Sequence, residues 1–125
     1  MKSERRKNDR LESLHLLDFV VVDEFGQHGD YTMGRTLNVS RGGILMETHL
    51  EMRKGQQVVI TMELKNALLN VMGTIVYASF ANPRYRYGIE FFEVPEADQR
   101  LLDSYVDAFH SLESLTPAEG KHAAA

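Results

Sequence analysis

Two short stretches carry side chains whose type and spacing suit the capture of a compact anion. The first is Arg5-Arg6-Lys7-Asn8-Asp9-Arg10. A guanidinium is planar and always charged, meets two phosphate oxygens with two parallel N–H groups, and stacks its flat face on a base. Three arginines within six residues can therefore grip a phosphate-rich ligand, although a basic terminus is also the ordinary composition of a solvated tail. The second stretch is Asn38-Val39-Ser40-Arg41-Gly42-Gly43. Asn38 and Ser40 are two apart and so share one side of an extended segment, while Gly42 and Gly43 let a ligand reach backbone N–H groups. The same hexapeptide also fits an Asx-type turn joining two strands. An RNA contact through Arg41-Gly42-Gly43 is a poor reading, because such segments recur in unfolded chains and this one occurs once.

The remaining residues exclude more than they suggest. His15, His28, His49, His110 and His122 form no i,i+4 pair, and the chain has no cysteine, so neither a zinc-type signature nor a thiolate site is available. These histidines read as strand or surface residues. No Gly-x-Ser-x-Gly elbow, Walker loop or dinucleotide fingerprint occurs, and the expectation is a chain that is not an enzyme and holds no metal or cofactor. With 125 residues, 43% of them hydrophobic, the chain is long enough for one domain with one core. Its net charge of −4 is unevenly spread: residues 1–10 sum to +3 and the others to −7. A basic head on an acidic body gives no general attraction to nucleic acid or anionic lipid. No apolar run approaches the roughly 18 residues of a membrane span, and Met1 to Arg6 lacks the apolar region of a signal peptide. A soluble, cytoplasmic protein without membrane insertion is expected.

The elements that must position these residues follow from hydrophobic period. Leu14 to Val22 reads as a buried strand, rich in β-branched residues towards its end. Residues 23–30 have turn composition, and Tyr31 to Leu37 resumes as a strand in a loose hairpin. After the turn formers at 38–43, Ile44 to Thr48 forms a short strand. Val58, Ile60, Met62 and Leu64 alternate with polar residues. Lys65-Asn66 marks a turn, and Leu69, Val71, Gly73, Ile75 and Tyr77 share one face of a long strand. Asn82-Pro83 ends it, and Tyr85, Tyr87, Ile89 and Phe91 form the last strand. Beyond Pro95 the period changes to three and four at Leu102, Tyr105, Phe109 and Leu112, widened by Leu101, Ala108 and Leu115 into a helix that Thr116-Pro117 stops. The pattern predicts a mainly β chain: a flexible basic arm over 1–12, a small antiparallel β-barrel over 13–94, a helix over 95–115, and a disordered tail over 116–125 without functional weight.

Taken together, the two stretches are far more specific than either alone. Arg-x-x-x-Arg at Arg6 and Arg10, followed about thirty residues later by Asn-x-Ser-x-x-Gly at Asn38, Ser40 and Gly43, resembles the PilZ domain family, bacterial receptors of the second messenger cyclic di-GMP. The resemblance extends from about Glu4 to about His110, and Tyr87-Gly88-Ile89-Glu90-Phe91 is similar to the Gly-x-x-Phe of the family's last strand. It implies a six-stranded antiparallel β-barrel with a C-terminal helix. It further implies that Arg6 and Arg10 clamp guanine and phosphate as an N-terminal switch folds over the ligand. Asn38 and Ser40 would bond the guanine edge and a phosphate, and Gly43 would leave room for the ligand against the barrel. Arg5 resembles an additional arginine associated with an intercalated dimer of the dinucleotide, and Arg41 and Gly42 lie within the motif. Tyr77 stands where relatives carry an aromatic that can stack on a base, or else it is a core or cross-strand aromatic.

Two functions follow. In one, the chain is a cyclic di-GMP receptor whose arm becomes ordered on binding and which signals through an unidentified effector protein. In the other, it is a ligand-independent PilZ-like interaction module. An oligomer through the helix stripe near Leu112 and Leu115 is compatible with both. An OB-type single-strand binder is disfavoured, since the acidic body lacks a basic groove.

Overall fold

The structure, a computed structural model, describes residues 15–114. Arg5, Arg6, Arg10, Leu115, the arm expected over 1–12 and the tail expected over 116–125 lie outside the described residues. Six strands follow one another: β1 (Leu16–Val22), β2 (Thr32–Val39), β3 (Gly43–Thr48), β4 (Gln57–Leu64), β5 (Ala67–Ala81) and β6 (Arg84–Phe92). One helix, α1 (Glu96–Ser114), closes the order. Every strand pair is antiparallel, and the sheet closes in the order β1-β2-β3-β6-β5-β4. The expected six-stranded barrel with a C-terminal helix is therefore the fold. No helix among the described residues is long and apolar enough to cross a membrane.

Period-two alternation fills the interior. Phe19, Met46, Val58, Ile60, Met62, Ile75 and Tyr87 are fully or almost fully buried, and their neighbours on each strand are exposed or half-buried, apart from Val20 beside Phe19, which is buried as well. Between β4 and β5 the two-residue turn Lys65-Asn66 has both φ values positive, at 50° and 70°, the conformation whose twist matches the flanking strands. The β5–β6 turn contains a cis Asn82–Pro83 peptide.

Two strands depart from uniform alternation. A bulge between Thr36 and Asn38 extends β2 through Val39, two residues beyond the strand read from Tyr31 to Leu37. A second bulge between Ile75 and Tyr77 shifts the register of β5 against β6. Each inserts one residue and exchanges the inner and outer faces beyond it. Hence Val39 is buried beside an exposed Asn38, and Tyr77 leaves the face it was expected to share with Ile75.

Helix α1 begins at Glu96, where the Pro95 carbonyl accepts from the N–H groups of Asp98 and Gln99, both at 2.9 Å, and Glu96 and Asp98 lie at the positive end of the dipole. Leu102, Tyr105, Val106 and Phe109 join the barrel core, with Leu101, Ala108 and Leu112 packed against it. The stripe thus covers its own barrel, Leu112 included.

Tyr87 anchors the loop between β3 and β4. The Met52 N–H donates to its hydroxyl at 2.6 Å, and the hydroxyl donates to the Leu50 carbonyl at 2.8 Å. Burial pushes the Tyr87 hydroxyl above its ordinary value, against the opposing effect of the Met52 bond, and burial does the same to Tyr105. Both tyrosines favour the fold while protonated, so their contribution is complete below about pH 10 and is lost as pH rises through the raised folded values. Tyr87→Phe strands a buried Met52 donor and should cost about 1–3 kcal/mol. Urea unfolding at neutral pH checks this, and the contribution of the two tyrosines to wild-type stability should be lost above about pH 10.

Candidate functional site

The hexapeptide from Asn38 to Gly43 forms the end of β2, a tight turn and the first residue of β3. The turn is held from within: Ser40 N–H donates to the Gly43 carbonyl at 2.8 Å, and Gly42 N–H donates to Ser40 Oγ at 3.3 Å. Asn38 Oδ1 accepts from the Val39 N–H at 2.9 Å. These are the local side-chain bonds of an Asx- or Ser-type turn, so the strand-connecting reading of the hexapeptide is realised. Such a turn still leaves its outer face available.

That outer face borders a shallow depression of about 320 Å³ lined by Asn38, Ser40, Gly42, Gly43, Leu45, Val76, Gly88 and Glu90. Both bulged segments reach it, Asn38 from β2 and Val76 from β5. Closing β3 against β6 sets Leu45 opposite Gly88 and Gly43 opposite Glu90. The two glycines leave a flat floor, and the flanking groups are an amide, a hydroxyl, apolar side chains and one carboxylate. Among the described residues, no lysine or arginine lines it.

The two motif glycines differ in what they face. A Cβ on Gly43 would lie 2.5 Å from the Ile89 carbonyl oxygen, closer than real Cβ atoms come to backbone. A Cβ on Gly42 would meet nothing within 4 Å. Gly43 is thus needed for the approach of β3 to β6, a reason within the barrel itself, and it is Gly42 that borders open space.

Arg41 turns away from the depression. Its Nε lies 3.3 Å from Asp103 Oδ1 on α1, and Asp103 also accepts from Gln99 Nε2 at 3.0 Å. His110 Nε2 is 2.8 Å from the Val39 carbonyl oxygen, and His15 packs edge-on against Phe109 at 5.1 Å. The helix therefore seats on the turn that carries Asn38 and Ser40. Tyr77 is 52% exposed and lies over Gly88, whose added Cβ would meet the Tyr77 Cβ at 3.1 Å. Of its expected roles, the core aromatic is excluded, and Tyr77 is a cross-strand neighbour of Gly88, which lines the depression, without itself being among the lining residues. A larger hollow of about 950 Å³ between the turn after β1 and the loop before β4 gathers none of the motif residues among those described.

Comparison with known proteins identifies the architecture. The family model of the PilZ domain matches residues 4–108. The chain belongs to the PilZ domain family. Among solved structures, the PilZ domain with c-di-GMP of YcgR from Escherichia coli superposes with a TM-score of 0.57 at 14% identity, covering 84% of this chain and 88% of that one. YcgR in complex with c-di-GMP matches equally well over 86% of this chain and 46% of that one. Apo MrkH of K. pneumonia gives a TM-score of 0.56 at 13% identity, covering 86% of this chain and 50% of that one. At such identities the likeness is one of fold, and this PilZ chain spans about half the length of those two longer proteins. No curated protein matches the sequence.

Sequence reasoning placed Asn38, Ser40, Gly42 and Gly43 together and missed Leu45, Val76, Gly88 and Glu90. Gly88 read as the glycine of the last-strand Gly-x-x-Phe and Glu90 as an outward member of an alternating strand, and neither was assigned to the site because their partner strand is not visible in a linear pattern. The glycine asymmetry is directly testable by thermal unfolding: Gly43→Ala should destabilise this PilZ barrel by about 1–3 kcal/mol through overpacking, while Gly42→Ala leaves the melting temperature essentially unchanged. Equal melting temperatures for the two variants would contradict the backbone contact.

Proposed function

We propose that this PilZ chain is a receptor for cyclic di-GMP in which the barrel recognises the ligand and the N-terminal arm neutralises it. The observation that carries the reading is the gathering of Asn38, Ser40 and Gly42 on one depression that no cation among the described residues lines. Arginines for the phosphates would have to come from elsewhere, and the sequence offers Arg5, Arg6 and Arg10 immediately ahead of β1. β1 runs antiparallel to β2, with Leu16 paired to Arg35 and the Thr36 N–H donating to the His15 carbonyl at 2.8 Å. His15, the first described residue, therefore lies beside the stretch of β2 that leads to Asn38. Arg10 is five residues away, at most about 17 Å of extended chain, and Arg6 at most about 30 Å.

In this account Asn38 and Ser40 bond polar edges of the ligand, Leu45, Val76 and the Tyr77 ring offer apolar and stacking surface, and Arg6 and Arg10 close over the phosphates. Arg5 adds charge for a second ligand in an intercalated dimer. Ordering the arm changes the surface beside α1, and output passes to a protein partner that reads that surface. Support comes from family membership, from both motifs being complete, and from the c-di-GMP named in the YcgR structures.

Calorimetric titration of the full chain with cyclic di-GMP tests the reading. Wild type should bind, Arg6→Ala and Arg10→Ala should each weaken binding by about tenfold or more, and affinity should fall as salt is raised. A ratio of two ligands per chain, reduced to one by Arg5→Ala, would mark the dimer. No heat and no rise in melting temperature at saturating ligand would overturn the receptor reading and leave the ligand-independent interaction module.

A further inference from the structure

The depression offers an anionic ligand a carboxylate. Glu90 lines it, opposite Gly43 on β3 and Thr74 on β5, so neither cross-strand neighbour can neutralise its charge. Two of the barrel's arginines pair with other carboxylates: Arg86 Nε lies 3.1 Å from Glu47 Oε2, and Arg41 Nε lies 3.3 Å from Asp103 Oδ1. Among the described residues the Glu90 carboxylate forms no ion pair. Set beside phosphates, such a group opposes binding unless it meets donors on the ligand itself. Guanine supplies them, since its N1–H and exocyclic N2–H point the same way and match the two acceptor oxygens of a carboxylate. Adenine presents an acceptor at N1, which a carboxylate repels. Asn38 and Ser40 border the same floor, and as a neutral amide and a hydroxyl neither supplies the paired charged acceptors that this edge fits.

We propose that Glu90 is the specificity-determining residue of this site, accepting from N1–H and N2–H of one guanine and thereby selecting guanine over other purines. The inference rests on the receptor reading above and assigns its base selectivity to β6, outside both motifs. Titrations of the full chain with cyclic di-GMP, cyclic di-IMP, whose hypoxanthine bases lack the exocyclic amine, and cyclic di-AMP separate the outcomes. Wild type should prefer cyclic di-GMP to cyclic di-IMP by about tenfold or more, because a site built to accept from an N–H is left unpaired by the analogue. Glu90→Gln, which keeps shape on an exposed strand position, should lose about tenfold for cyclic di-GMP and narrow its preference over both analogues. Glu90→Ala should do the same, and unchanged melting temperatures for both variants exclude a folding cause. Binding of cyclic di-GMP by Glu90→Gln as tight as wild type, or tighter, with selectivity intact would overturn the assignment while leaving the receptor reading standing. Failure of wild type to bind any of the three dinucleotides would overturn the receptor reading and the assignment with it.

Discussion

The pairing of β3 with β6 is the constraint on which the rest of the molecule depends. β1, β2 and β3 form one run of neighbouring strands and β4, β5 and β6 another, and the barrel closes only where β1 meets β4 and β3 meets β6. At the second seam the backbones approach so closely that Gly43 has no room for a side chain beside the Ile89 carbonyl. The same seam brings the β2–β3 turn beside Gly88 and Glu90, so the depression is a product of barrel closure. Without it Asn38 and Ser40 would belong to an isolated turn and Glu90 to an unrelated strand.

Charge then divides the labour. The barrel contributes hydrogen-bonding groups, apolar floor and a carboxylate to the depression, and two of its arginines, Arg86 and Arg41, pair with Glu47 and Asp103. A phosphate-bearing ligand placed there calls for cations from outside the barrel, and the one concentrated supply in the sequence lies within residues 1–10. In the proposed function, recognition by the barrel and neutralisation by residues 1–10 are separate, and this separation is what would make occupancy visible at the surface. Helix α1 seats on the same turn through Asp103 and His110, so the turn is a point where arm, ligand and helix can be coupled.

Much of this was legible in the sequence, and the exceptions have a common cause. Alternation within Val58–Leu64 and Tyr85–Phe91 and the change of period after Pro95 are local signals, and strands and helix stand close to where those signals placed them. The bulges at Leu37 and Val76 are not local, because an extra residue is defined only against a partner strand. They moved Asn38 into β2 and turned Tyr77 outwards. Gly43 was read as space for a ligand, and its second role, admitting the close approach of β6, arises from a strand that is more than forty residues away in sequence. Glu90 had no distinguishing feature until its place opposite Gly43 was known.

The most direct measurement is a heteronuclear NMR titration of the full chain with cyclic di-GMP, following backbone amides of Arg5–Arg10 together with those of Asn38–Gly43 and Glu90. A ligand gripped by the arm against the turn predicts that both sets shift over the same concentration range and that the arm amides lose fast motion at saturation. Shifts confined to the turn, with the arm unchanged at saturation, would contradict the division between a barrel that recognises and an arm that neutralises.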